Sequence, residues 1–213
     1  MRITRGWIFG AAISLLPMLV VADTRDNERG ATIRWDITHI ISFTPFVTVE
    51  AGGMASASAN DTSVITFTGS GSFTVGDRDD VTGGGTWKTV EEGASMPSAQ
   101  GSYRVTALVR FDVAPGAQTS TTKDLIGDGT LADNRGGLAI LRIAYSDGSK
   151  GILVVSCDLP GNPSPGPRGS PDSIFEGITA SKGFVDYWNR AAPAPGVDAN
   201  RTLFHVVSPN KED

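Results

Sequence analysis

The chain has 213 residues and only one cysteine, Cys157, so it cannot form an internal disulfide. Small exported domains commonly depend on disulfides for stability. This chain must rely on a buried core instead, and it is long enough to build one. The apolar residues at 152–155 predict that Cys157 is an inert member of a buried strand.

Motifs that specify a reaction are also missing. The chain has two histidines and no Gly-x-Ser-x-Gly nucleophile elbow. The glycine clusters at 83–85 and 136–137 lack the lysine of a phosphate-binding loop. We therefore expect no cofactor and no bound metal. The net charge of −5 argues against nucleic acid as a partner.

Beyond residue 22 the sequence has no apolar run long enough to span a bilayer. Before it, Arg2 and Arg5 precede an apolar stretch at 7–22 that ends in Val20-Val21-Ala22. This stretch is 16 residues long, whereas a spanning helix needs about 20. A basic start, a short apolar core and a small-residue exit are typical of a secretory signal. We expect residues 1–22 to be a cleaved signal peptide and 23–213 to be a single exported domain, secreted or periplasmic.

Most of the mature chain alternates apolar and polar residues, as half-buried strands do. The alternating segments are 31–42, 63–75, 81–90, 101–113, 136–146 and 150–157. A charged turn separates the second from the third, and Asp147-Gly148 separates the fifth from the sixth, which predicts two hairpins. The chain is therefore predicted to be all-β, as a single antiparallel β-barrel (calycin-like or similar) or a β-sandwich. At most one short helix is expected, near 181–190.

Two glycine-containing patterns bear on the packing of these strands. Gly69 and Gly71 lie inside a predicted strand, which indicates a bulge, or another backbone or an aromatic ring packed close above. Gly85-Thr86-Trp87 resembles the Gly-x-Trp triplet of lipocalins. In that family the triplet opens the first barrel strand near the mature N-terminus, whereas here several predicted strands precede it. The resemblance covers three residues and implies no activity.

Aromatic residues spread over most strands are the more informative class. The candidate ligand-binding residues are Trp35, Trp87, Tyr103, Tyr145 and Trp188. Pointing into a barrel, they would line a pocket for a small apolar or amphipathic ligand. Exposed on one sheet face, they would stack on the sugar rings of a glycan. Packing in the core is the structural alternative.

The two histidines define a third hypothesis, a small enzyme with its site at the mouth of a barrel. Its candidate residues are His39, Asp36 and His205. Because no catalytic motif supports it, the leading interpretation is a non-catalytic exported protein that binds a small ligand. A carbohydrate-binding or surface-interaction module and the enzyme are the alternatives, and the oligomeric state is open.

Overall fold

A computed structural model describes residues 28–42, 44–45, 47–116, 122–127, 130–159, 169–191 and 200–207. The expected signal peptide, 1–22, lies outside the described residues. In the described part no helix is long and apolar enough to cross a membrane.

The described chain is nearly all strand. Its fifteen strands are β1 (Thr32–Ser42), β2 (Val47–Ala51), β3 (Ala55–Ser58), β4 (Val64–Phe67), β5 (Ser70–Thr74), β6 (Gly84–Val90), β7 (Ala99–Val113), β8 (Thr122–Asp124), β9 (Asn134–Arg135), β10 (Gly137–Tyr145), β11 (Lys150–Cys157), β12 (Gly177–Lys182), β13 (Val185–Tyr187), β14 (Asn189–Ala191) and β15 (Arg201–Val207). One turn of 3₁₀ helix, Leu131–Asp133, precedes β9.

These strands form one mixed sheet. Hydrogen-bonded neighbours follow the order β13-β12-β11-β10-β7-β6-β5-β1-β15-β9. At β6 the sheet branches, because Gly84 pairs with β5 whereas residues 87–90 pair with β4. The second branch continues through β3 to β14. Among the described strands only β2 and β8 pair in parallel, and the sheet is not closed.

The two hairpins predicted from the turn sequences are confirmed. Strand β6 pairs with β4 and, at one position, with β5. Strands β10 and β11 pair on either side of Asp147-Gly148. The all-β prediction is therefore correct for the described residues, while the parallel β2–β8 pair makes the sheet mixed rather than purely antiparallel.

Strand β1 lies in the middle of the sheet and carries the predicted alternation. Its residues Ile33, Trp35 and Ile37 are completely buried. Trp35 pairs with Phe204 of β15 on one side and with Gly71 of β5 on the other. A Cβ atom on Gly71 would stand 2.8 Å from Trp35 Nε1. The glycine inside β5 thus leaves room for the indole ring, as the sequence predicted.

Aromatic rings fill much of the interior. Phe67 packs edge-on against Tyr103, with ring centroids 5.1 Å apart, and Tyr145 packs edge-on against Trp87 at 5.4 Å. A second cluster joins Phe73, Phe111 and Phe204, with centroids 5.0 to 6.5 Å apart. Edge-to-face pairs at such distances stabilise a core beyond the area that they bury.

The helix expected near 181–190 is wrong. Strand β12 continues to Lys182, and Lys182 pairs with Val185 of β13 across a two-residue turn. Gly183 occupies that turn with φ of +60°, which a glycine adopts without strain. The segment therefore follows its strand-like alternation, in which Val185 and Tyr187 share one face and Asp186 lies on the other. It does not follow the helical spacing of its aromatic residues.

Candidate functional site

Two strongly exposed aromatic side chains, Phe184 and Trp188, border a groove on the outer face of β11 and β12. The hairpin of β12 and β13 forms one wall, with Phe184 at its tip and Trp188 just beyond β13. Phe184 is 99% exposed and Trp188 is 62% exposed. Because the turn contains only two residues, Phe184 has no neighbouring loop to cover it.

The opposite wall is the turn between β3 and β4. Asn60 Oδ1 accepts a hydrogen bond of 3.3 Å from Trp188 Nε1, which ties the two walls together. Asp61 Oδ1 accepts bonds from the backbone and the hydroxyl of Ser63, at 3.0 and 2.6 Å. These bonds lower the pKa of Asp61, with the hydroxyl of Ser63 as the largest cause. Asp61 therefore presents an ionised carboxylate at the groove.

The floor consists of residues that point outward from β11 and β12. Val154 stands opposite Thr179 in the strand pairing, so their side chains share the outer face. The groove has a volume of about 740 Å³. Its lining residues are Ala59, Asn60, Asp61, Ile152, Val154, Thr179, Ala180, Ser181, Phe184, Val185, Asp186, Tyr187 and Trp188. We call this surface the aromatic groove.

The chemistry of the aromatic groove is that of a binding surface. The two exposed aromatic rings, of Phe184 and Trp188, offer flat apolar faces, and the third ring, of Tyr187, is buried. An amide and two carboxylates offer polar contacts, and Thr179 and Ser181 add hydroxyls. No lysine or arginine lies among its lining residues. An accessible ring beside polar groups suits a ligand with one apolar face and several hydroxyls. It also suits an amphipathic ligand.

Of the five predicted ligand-binding aromatic residues, only Trp188 reaches this groove. Trp35, Trp87, Tyr103 and Tyr145 are buried. Trp87 Nε1 donates to the carbonyl of Ser102 at 3.1 Å. The hydroxyls of Tyr103 and Tyr145 donate to the backbone carbonyls of Thr68 and Ser181, at 3.0 and 2.7 Å.

Burial raises the pKa of both tyrosines, Tyr103 and Tyr145. Their hydroxyls therefore stay protonated and hold the sheet together. No local pattern in the sequence distinguishes the outward-facing aromatic residues from the buried ones. Phe184 and Asn60, which complete the groove, were not among the predicted site residues.

The enzyme candidates lie elsewhere. His205 pairs with Arg34 of β1, and Arg34 donates two side-chain hydrogen bonds to the buried Asp36, at 2.8 and 2.9 Å. His205 Nε2 lies 2.5 Å from Asp124 Oδ2 of β8. The structure therefore brings Asp36 and His205 into one polar layer and adds Asp124, which sequence reasoning missed.

His39 does not join that layer. It stands opposite Glu50 of β2, five positions along β1 from Arg34. Since side chains alternate along a strand, His39 and Arg34 point to opposite faces. His205 is completely inaccessible to solvent. A buried His–Asp pair of this kind links β8 to the sheet.

A second buried polar cluster surrounds Glu176, at the start of β12. Its carboxylate accepts from the backbone amides of Asp158 and Thr202, at 2.6 and 2.5 Å. Burial raises the pKa of Glu176 to about 7, although these bonds and Arg201 oppose the rise. Cys157 is buried beside this cluster, and burial raises the pKa of its thiol.

Within the described ranges, no group of three histidine, cysteine or carboxylate side chains has the geometry to hold a metal ion. Comparison with protein-family models, with curated proteins and with solved structures gives no match to this chain. Function is therefore inferred from the aromatic groove and its chemistry.

Proposed function

We propose that this protein is an exported, non-catalytic binding module that holds a glycan in the aromatic groove. The observation that carries the proposal is the placement of Trp188. Its ring is largely exposed, yet Asn60 fixes its indole nitrogen at the rim of a groove lined by carboxylates and hydroxyls. A fixed aromatic platform loses little conformational entropy when a ligand stacks on it.

The surface site fits this chain better than an apolar pocket inside a barrel. Trp87 packs against Tyr145, and Tyr103 packs against Phe67. Three of the four rings expected to line such a pocket donate hydrogen bonds to backbone carbonyls. We therefore infer a β-sheet body with a filled core that carries its ligand outside. An amphipathic ligand in the same groove is the second candidate, favoured by the exposed Phe184.

Binding to a printed glycan array, followed by calorimetric titration of the best binder, tests the proposal. Replacing Trp188 with alanine (Trp188→Ala) is expected to weaken binding at least tenfold, since central aromatic contacts commonly contribute about 2 kcal/mol or more.

Phe175→Ala is the matched control, because Phe175 is 67% exposed and lies outside the groove lining. It should leave the affinity unchanged. Equal losses in the two variants, or no binding to any glycan by the wild type, would contradict the proposal. Binding of detergent-like probes alone would favour the amphipathic ligand.

A further inference from the structure

We propose that the aromatic groove continues into a second, basic groove, and that the two together bind an acidic glycan. This inference rests on the proposed function, because it assigns the chemical class of the glycan. Its carboxylate or sulfate groups would lie over the basic groove and a neutral sugar ring would stack on Trp188.

The basic groove lies on the outer face of β7, β10 and β11. Ala144 of β10 stands between Arg104 of β7 and Lys150 of β11 in one row across the sheet. In the next row, Arg142 stands opposite Ile152. Neighbouring strands are about 4.8 Å apart, so Arg104 and Lys150 flank a hollow about 10 Å wide over the small Ala144.

Positive charge dominates this hollow. Arg78, Arg104, Arg142 and Lys150 are all exposed and line a volume of about 600 Å³. Asp79 is the one carboxylate among its lining residues. In the part of the chain that the structure describes, none of the four cations is recorded in an ion pair. Like charges placed so close repel one another, and a bound anion would relieve that repulsion.

The local charge contrasts with that of the chain as a whole. The net charge is −5, so a cluster of four cations on one sheet face is a local exception. A charged cleft of one sign concentrates ligands of the opposite sign. Charge complementarity therefore identifies the occupant of the basic groove as an anion.

The two grooves form one surface because they share residues. Ile152 and Ser181 line both of them. Lys150, Ile152 and Val154 are successive outward positions of β11, spaced about 6.7 Å apart. A linear ligand can therefore cross from the cations to the aromatic rings along this strand.

The mixed charge of the combined surface favours a glycan over an anionic membrane. Asp61 and Asp186 stand at the aromatic end. A uniformly anionic lipid surface would approach these carboxylates and the cations together. An oligosaccharide with acidic and neutral sugars at different positions can place an acidic sugar over the cations and a neutral sugar over Trp188.

The test uses two acidic oligosaccharides in which acidic and neutral sugars alternate, hyaluronan and unsulfated chondroitin, each with its carboxyl methyl ester as the neutral form. Affinities are measured by calorimetry at low and moderate salt. The wild type is expected to bind at least one acid at least tenfold more tightly than its ester, and salt should reduce that preference.

The double variant Arg104→Gln/Lys150→Gln is expected to remove the preference, so that the acid and its ester bind with similar affinity. The double variant Arg29→Gln/Lys88→Gln removes the same charge outside both grooves and should keep the preference. Thermal melts of both variants establish that they fold.

Equal affinity for acid and ester, or equal losses in the two double variants, would overturn the inference. If neutral oligosaccharides then still bind in a manner that depends on Trp188, the proposed function survives alone. Failure of both oligosaccharides and of their esters overturns the inference, and the proposed function falls with it only if the wild type also binds no glycan on the array. Loss of all oligosaccharide binding together with capture by phosphatidylglycerol vesicles would overturn the inference in favour of a lipid surface.

Discussion

At the residue scale, the fold raises the pKa of Glu176 enough to make the stability of the protein depend on pH near neutrality. Part of the residue reaches the surface, but its carboxylate is enclosed by the backbone amides of Asp158 and Thr202. Because burial disfavours the charged form, its pKa rises from 4.5 to about 7. The neutral carboxyl therefore fits the folded state better than the ionised one.

This shift predicts a stability that falls as pH rises. An acid with a raised pKa in the folded state contributes its full stabilisation below pH 4.5 and loses it as pH increases to about 7. The loss is on the order of 3 kcal/mol at most. Urea unfolding at pH 5 and pH 8 measures it.

Glu176→Gln, which resembles the protonated form, should abolish most of this dependence. The bonds that lower the pKa of Asp61 and Asp147 act below about pH 4 and do not contribute in this window. A variant with the same pH slope as the wild type would show that another group is responsible.

At the element scale, the short strand β8 depends on a side chain as well as on its backbone pairing. It pairs with β2 at only three positions. Asp124 adds the contact with His205 and also caps the next turn by accepting from the amide of Ile126 at 2.9 Å. Burial is the largest single effect on the pKa of Asp124 and raises it. The hydrogen bonds from His205 and from the amide of Ile126 act in the opposite direction, and the pKa is lowered overall.

Asp124→Asn is expected to loosen β8 while preserving the cap to Ile126. Loss of a buried charged hydrogen bond lowers the free energy of unfolding by about 1.5 to 3 kcal/mol. Backbone amides in β8 and β2 should therefore exchange with deuterium faster than in the wild type. Asp147→Asn is the control, because Asp147 pairs with Lys182 at the surface, where such pairs contribute below about 1 kcal/mol. Unchanged exchange in β8 would contradict this role of Asp124.

The elements also show what the sequence could predict. The alternation of apolar and polar residues and the turn residues correctly predicted β1, both hairpins and the face on which Trp35 lies. These features could be predicted because each depends on residues that are close in the sequence. The contacts that build the sites join distant residues: Asn60 and Trp188 are 128 positions apart, and Asp124 and His205 are 81 apart. No local pattern reports such pairs. Trp87 lies inside β6 and Trp188 lies between β13 and β14, and only the packing of the sheet decides that Trp87 is buried and Trp188 is exposed.

At the scale of the whole molecule, we propose that the protein works outside the cytoplasm. Residues 1–22 carry that expectation, and one cysteine buried in the core leaves no need for disulfide formation after export. N-terminal sequencing of the protein recovered from the periplasm or medium is expected to begin at Asp23. Recovery of a product that retains Met1 would contradict the proposed cleavage.

The central claim is that Trp188 stacks on a glycan, and acrylamide quenching of tryptophan fluorescence tests it most directly. Trp35 and Trp87 are buried whereas Trp188 is 62% exposed, so quenching in the mature chain reports mainly on Trp188. Saturation with the glycan selected on the array should reduce quenching in the wild type and have no effect in Trp188→Phe. Unchanged quenching of the wild type on saturation, or the same protection in Trp188→Phe, would contradict the account.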